Sequence, residues 1–85
     1  MEMIIQIPEY TKQQGFIYNW IDNFEISVKQ SKNEVMICAN KEGLLSLANH
    51  LLNLAQENVP YGTHIHLNEY NSLEENSLDL IIEKI

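Results

Sequence analysis

Residues 40–56 read Asn40-Lys41-Glu42-Gly43-Leu44-Leu45-Ser46-Leu47-Ala48-Asn49-His50-Leu51-Leu52-Asn53-Leu54-Ala55-Gln56, and this run decides the fold. Asparagine is a strong N-cap, because its side-chain oxygen accepts from a backbone N–H that the first helical turn leaves free. Behind it, Leu44, Leu47, Ala48, Leu51 and Ala55 recur at three- and four-residue spacing, and Leu45, Leu52 and Leu54 widen the stripe. So broad an apolar face predicts a helix lying across a sheet, with Ser46, Asn49, Asn53 and Gln56 facing outward. The pattern runs to about Asn58 and stops before Pro60, which disfavours helix in the residue preceding it, with Gly62 completing the turn.

Strands are expected on both sides of this helix. Phe24 to Gln30 alternates, with Phe24, Ile26 and Val28 on one face, and a turn at Ser31-Lys32-Asn33 leads into Glu34–Ala39 as a hairpin. After the helix, Thr63 to Leu67 alternates again, setting Ile65 and Leu67 against His64 and His66. The chain closes on Leu78 to Ile85, whose apolar middle predicts a strand covered on both faces. Nearer the start, Met3 to Ile7 is a short strand ended by Pro8. Residues 15–22 read first as a strand turning at Asp22-Asn23, although Phe16, Ile17, Trp20, Ile21 and Phe24 also fit a helical stripe. The expected fold is therefore a single α+β domain over residues 1–85, one amphipathic helix packed on a mostly antiparallel sheet of about five or six strands.

Size and charge narrow the function. A chain of 85 residues makes one domain. It buries roughly 60–65% of its unfolded surface, too little to support both a core and a deep cofactor cavity. Twelve acidic residues stand against five lysines, with no arginine, for a formal charge of −7. Gripping a phosphate backbone requires clustered cations that release counterions, so a nucleic-acid partner is not expected. An anionic membrane surface is disfavoured for the same reason, and a partner steered by charge should be basic. Cys38 is the single cysteine, which rules out an intrachain disulfide. Met1-Glu2-Met3-Ile4-Ile5 lacks the basic start and long apolar stretch of a signal peptide, and no window approaches the ~18 apolar residues of a membrane span. A cytoplasmic location is expected.

Few residues offer chemistry. His64 and His66 stand two apart on a strand, so both imidazoles point the same way and could share a metal ion. A closed zinc site needs four ligands and a catalytic one usually three, whereas Glu69 alternates to the other face and no second cluster exists. The plainer reading places both histidines on a half-exposed face, pairing with nearby carboxylates. His50 reads as a surface histidine of the helix. Cys38 lacks a marked partner base, and there is neither a Gly-x-Ser-x-Gly elbow nor a glycine-rich phosphate loop. No catalytic residues and no cofactor are expected, and the chain reads as a non-enzyme. The segment Glu69-Tyr70-Asn71-Ser72-Leu73-Glu74-Glu75 is the better candidate, because it joins carboxylates to an aromatic and a leucine expected to be exposed. That mixture suits protein recognition, with Glu69, Tyr70, Leu73, Glu74 and Glu75 as contacts, although a solvated turn between strands would look the same.

The run Asn40 to Ala48, then Pro60-Tyr61-Gly62-Thr63-His64-Ile65-His66-Leu67, then the closing Leu80-Ile81-Ile82-Glu83, resembles the small bacterial immunity proteins of polymorphic toxin systems, immunity protein family 32 among them. The likeness covers about residues 34–85, and the N-terminal third carries no matching motif. It implies a non-enzymatic protein that binds and neutralises a cognate toxin domain inside the producing cell. An acidic inhibitor would suit a basic, nuclease-type toxin, whose cationic site carboxylates can occupy in place of phosphates. The alternative is a small regulatory or protein-interaction domain, possible as a homodimer joined through an exposed strand edge or through Trp20 and its aromatic neighbours.

Overall fold

A computed structural model describes all of residues 1–85. In chain order it contains β1 (Ile26–Ser31), β2 (Glu34–Ala39), α1 (Lys41–Leu54), β3 (His64–Leu67) and β4 (Leu80–Glu83). The class is α+β, but the expected sheet of five or six strands is replaced by two antiparallel ladders of two strands, β1–β2 and β3–β4. Residues 74–78 join them without forming a regular strand. Glu74 N–H donates to Ile26 O at 2.8 Å and Leu78 N–H to Val28 O at 2.9 Å, so the inner edge of β1 is covered.

The β1–β2 hairpin turns at Lys32-Asn33, with Ser31 opposite Glu34 and Lys32 in the left-handed region at φ 55°. The alternation predicted for β1 sets Ile26 and Val28 inward, and both are buried with Leu47, Leu67 and Leu73 in one core cluster. Trp20, Phe24, Ala39 and Leu80 close over its margin. In the second ladder Ile65 and Leu67 are buried opposite Ile82 and Leu80. β4 is shorter than the stretch read from the sequence and is not covered on both faces, since Ile81 is exposed.

Helix α1 begins where its cap predicts. Asn40 Oδ1 accepts from Gly43 N–H at 2.8 Å and from Glu25 N–H at 3.0 Å, while its amide donates to Asn23 O at 2.9 Å. One side chain thus caps the helix and ties it to the entry of β1. Gly43 is required by closeness: a Cβ there would overlap the Glu25 carbonyl and stand 2.9 Å from Ile26 Cγ1. The helix stops at Leu54 rather than continuing to Asn58, and Lys84 Nζ donates to the carbonyls of Gln56 and Val59 where the chain turns.

The orientation of α1 reverses the expectation. Ser46, Asn49, His50 and Asn53 are buried, whereas Leu44, Leu51 and Leu52 are 56, 47 and 50% exposed. The cause lies in the first third of the chain. Met3–Ile7 and residues 15–22 form neither regular strand nor helix; the only ladder contact before β1 is an isolated bridge from Thr11 to Gly15. This extended segment has no strand to pair with, so side chains of α1 satisfy its backbone instead. Ile21 N–H donates to Ser46 Oγ at 2.9 Å and Asn19 N–H to His50 Nε2 at 3.0 Å. The amides of Asn49 and Asn53 donate to Gln6 O and Ile17 O at 2.8 and 2.7 Å. Gln56 and Asn58 add bonds to Pro8, Tyr10 and again Tyr10. The polar stripe is a clasp that holds residues 6–21 as a strap, and Leu47 and Leu54 are the only leucines of α1 that are fully buried.

Candidate functional site

The recognition segment picked from the sequence lies in the loop from Asn68 to Asn76, between β3 and β4, and the loop is held by its own side chains. Asn68 Oδ1 accepts from Tyr70 N–H at 2.9 Å and Asn71 N–H at 3.2 Å, and Asn71 Oδ1 returns the bond to Asn68 N–H at 2.9 Å. Asn71 also donates to His66 O at 2.9 Å, and Glu69 Oε2 accepts from Asn76 N–H at 2.8 Å across the loop's base. Such short-range side-chain bonds are the reason Asn and Asp favour turns. Leu73 is the anchor. The sequence suggested an exposed leucine, but the residue is 5% exposed and belongs to the core, drawn in by the apolar side of β1.

What remains outward is narrow. Tyr70 is 90% exposed, and Glu74 and Glu75 are exposed beside it, while Glu69 is half-buried and spends one carboxylate oxygen inside the loop. No lysine occurs between Thr63 and Glu83, so nothing on this stretch neutralises the carboxylates. Two clefts flank the loop. One, of about 270 Å³, is lined by Tyr18, Trp20, Leu67 and Asn71. The other, of about 260 Å³, brings Glu74 together with Glu25 over Ser27, Cys38 and Asn40. Tyr18, Trp20 and Glu25 are distant in sequence from the loop, and no spacing rule could have placed them beside it. No histidine lines the cleft at Cys38, which is a free, exposed thiol.

His64 and His66 do share the outer face of β3, as their spacing requires, but their rings are turned to separate partners. His66 Nε2 meets Asp79 Oδ2 at 2.8 Å, an exposed pair that is ionic only when the ring is protonated. His64 Nδ1 lies 3.2 Å from Gly62 O. No group of three or more His, Cys, Asp or Glu side chains gathers around them or elsewhere in the chain.

The most perturbed titratable group is in the clasp, where the sequence read a surface histidine. His50 is fully buried under Trp20, Tyr18 and Phe16, with ring centroids 4.3, 5.3 and 6.4 Å away. Its Nε2 accepts from Asn19 N–H, so the proton of the neutral ring is assigned to Nδ1, which is enclosed without a partner. Burial pushes its pKa from the ordinary 6.5 down to about 4. A charged ring would also have to give up the bond to Asn19, since both nitrogens would then be donors. Ring and strap are one unit.

No helix is long and apolar enough to cross a membrane. No curated protein and no solved structure matches the chain. A family model described as Immunity protein 32 does match, over residues 34–85, which spans β2, α1, β3, the acidic loop and β4 and leaves β1 and the N-terminal strap outside. The matched part is more than half of the 85 residues and includes the helix start, the β3 strand and the chain's closing strand, so this protein belongs to the immunity protein 32 family.

Proposed function

We propose that this chain neutralises a cognate toxin domain by stoichiometric binding in the cytoplasm of the cell that makes both, and that it acts as an inhibitor rather than an enzyme. The observation that carries the reading is the pre-ordered Asn68–Asn76 loop, which holds Tyr70, Glu74 and Glu75 outward on a lysine-free stretch of a family 32 immunity protein. A loop already fixed by internal bonds loses little conformational freedom when a partner closes on it, so more of the contact energy appears as affinity. An exposed tyrosine beside two carboxylates matches the residues that dominate protein interfaces and the charge that speeds encounter with a basic surface. The partner is therefore a basic polypeptide, and the aromatic cleft at Tyr18 and Trp20 offers a seat for one of its cationic or apolar side chains.

Capture from lysate of the encoding cell, with the wild-type protein and Glu74→Lys/Glu75→Lys as parallel baits, tests this reading. A single basic polypeptide, retained by wild type, weakened by salt and lost with the charge-reversed bait, is the expected result. Equal capture by both baits, insensitive to salt, removes the acidic loop from the interface.

A further inference from the structure

We propose that residues 6–19 form an acid-released latch, which swings off α1 when His50 takes up a proton while the two ladders and the helix stay folded. The proposal rests on how the strap is held and not on the toxin-binding reading. Every hydrogen bond from residues 6–19 to the rest of the chain ends on a side chain, and those side chains are Asn49, His50, Asn53, Gln56 and Asn58. No backbone ladder ties the segment to its neighbours, and the core cluster of Ile26, Val28, Leu47, Leu67 and Leu73 lies wholly outside it. Segments held in this way open locally at less cost than the strands of a core.

His50 is the member of the clasp that acid removes. Its ring is fully buried, and the three aromatic rings around it, Phe16, Tyr18 and Trp20, all belong to the strap. Nε2 accepts from Asn19 N–H at 3.0 Å, and Nδ1 is enclosed without a partner. A protonated ring donates at both nitrogens, so it repels the Asn19 N–H it held and leaves the second N–H unanswered. Water reaches such a ring only where its cover lifts, and the cover is the strap. No neighbouring charge offers an alternative. Tyr18 is the titratable group among the three rings, and one turn away on α1 stand Ser46, Leu47, Asn53 and Leu54, none of them ionisable. The β3 residue that shares a cleft with Tyr18 and Trp20 is the apolar Leu67. Burial alone holds the ring's pKa at about 4.

The hinge falls at Trp20-Ile21. Trp20 stacks on Phe24 with centroids 4.4 Å apart, both pack against the core, and Ser46 Oγ holds Ile21 N–H at 2.9 Å. None of these contacts uses His50, so the chain from Trp20 onward keeps its place as the latch leaves. Tyr18 goes with the latch, and the cleft it shares with Trp20, Leu67 and Asn71 loses a wall. Acid thereby couples one buried ring to the shape of the surface beside the acidic loop.

Amide hydrogen exchange followed by NMR at pH 7 and pH 4, with and without low urea, tests the latch. With the ring's pKa at 6.5 when hydrated and about 4 when enclosed, protection at Asn19 is expected to fall about 100-fold across this range, after correction for intrinsic exchange rates. Exchange at Asn19 is expected to be nearly independent of urea, because local opening exposes little surface, whereas amides of β1 and β2 show the steep dependence of global unfolding. In His50→Gln the fall at Asn19 is expected to shrink to less than about threefold. Protection at Asn19 that is unchanged between the two pH values, or that falls as far in His50→Gln, overturns the proposal. So does a urea dependence at Asn19 equal to that of β1 and β2, a result read on wild type alone and decisive even where the variant does not fold.

Discussion

His50 shows how a single residue couples charge to tertiary structure. Its folded pKa, about 4, lies below the ordinary 6.5, so the unfolded chain binds more protons between those values. Its contribution is complete above pH 6.5 and is lost progressively as pH falls toward 4. A shift of that size corresponds to about 3 kcal/mol. His50→Gln retains a polar side chain and removes the titration, so the stability difference between wild type and variant, from urea melts, should change across this window and be flat above it. Gly43 makes a steric demand of similar sharpness. Alanine gains about 1 kcal/mol of helix propensity, but its Cβ overlaps the Glu25 carbonyl, and the expected net loss on Gly43→Ala is about 1–3 kcal/mol in the same assay. The cap at Asn40 was legible because capping is local chemistry. Neither the burial of His50 nor the need for Gly43 was legible, since each depends on a segment more than fifteen residues away that packs only in the folded chain.

At the scale of elements, α1 and the strap define each other. An amphipathic pattern states which face is apolar, and the usual inference is that this face is buried. It fails here because residues 6–21 need backbone partners, and an unpaired buried N–H or C=O costs more than an exposed leucine. The polar residues of α1 should therefore matter more than its outer leucines. Asn53→Ala strands the Ile17 carbonyl and is expected to cost about 1–3 kcal/mol. Leu44→Gln and Leu51→Gln should each fall within about 0.5 kcal/mol, and equal losses at both kinds of site would show that the leucine face is the buried one. Hydrogen exchange at Asn19 and Ile21 should quicken in the Asn53 variant first. The β1–β2 hairpin and β3 were readable because alternation is their own property. The strap was not, because its apolar and aromatic residues satisfy both periods and its structure is imposed by side chains of another element.

Across the whole molecule, the acidic loop is flanked by two clefts that the fold assembles from distant segments. Glu74 of the Asn68–Asn76 loop lines one cleft with Glu25 and Cys38, and Asn71 lines the other with Tyr18 and Trp20. The sequence showed the acidic loop but misjudged Leu73, whose neighbours are polar and whose burial is decided by β1. Titration calorimetry of the captured toxin domain against wild type, Tyr70→Ala and Glu74→Lys/Glu75→Lys is the decisive measurement. Saturable binding by wild type at a fixed molar ratio, weakened at least about tenfold by Tyr70→Ala and made nearly salt-independent by the charge reversal, is the predicted result. Affinities unchanged by all three substitutions would contradict a toxin interface built on this loop.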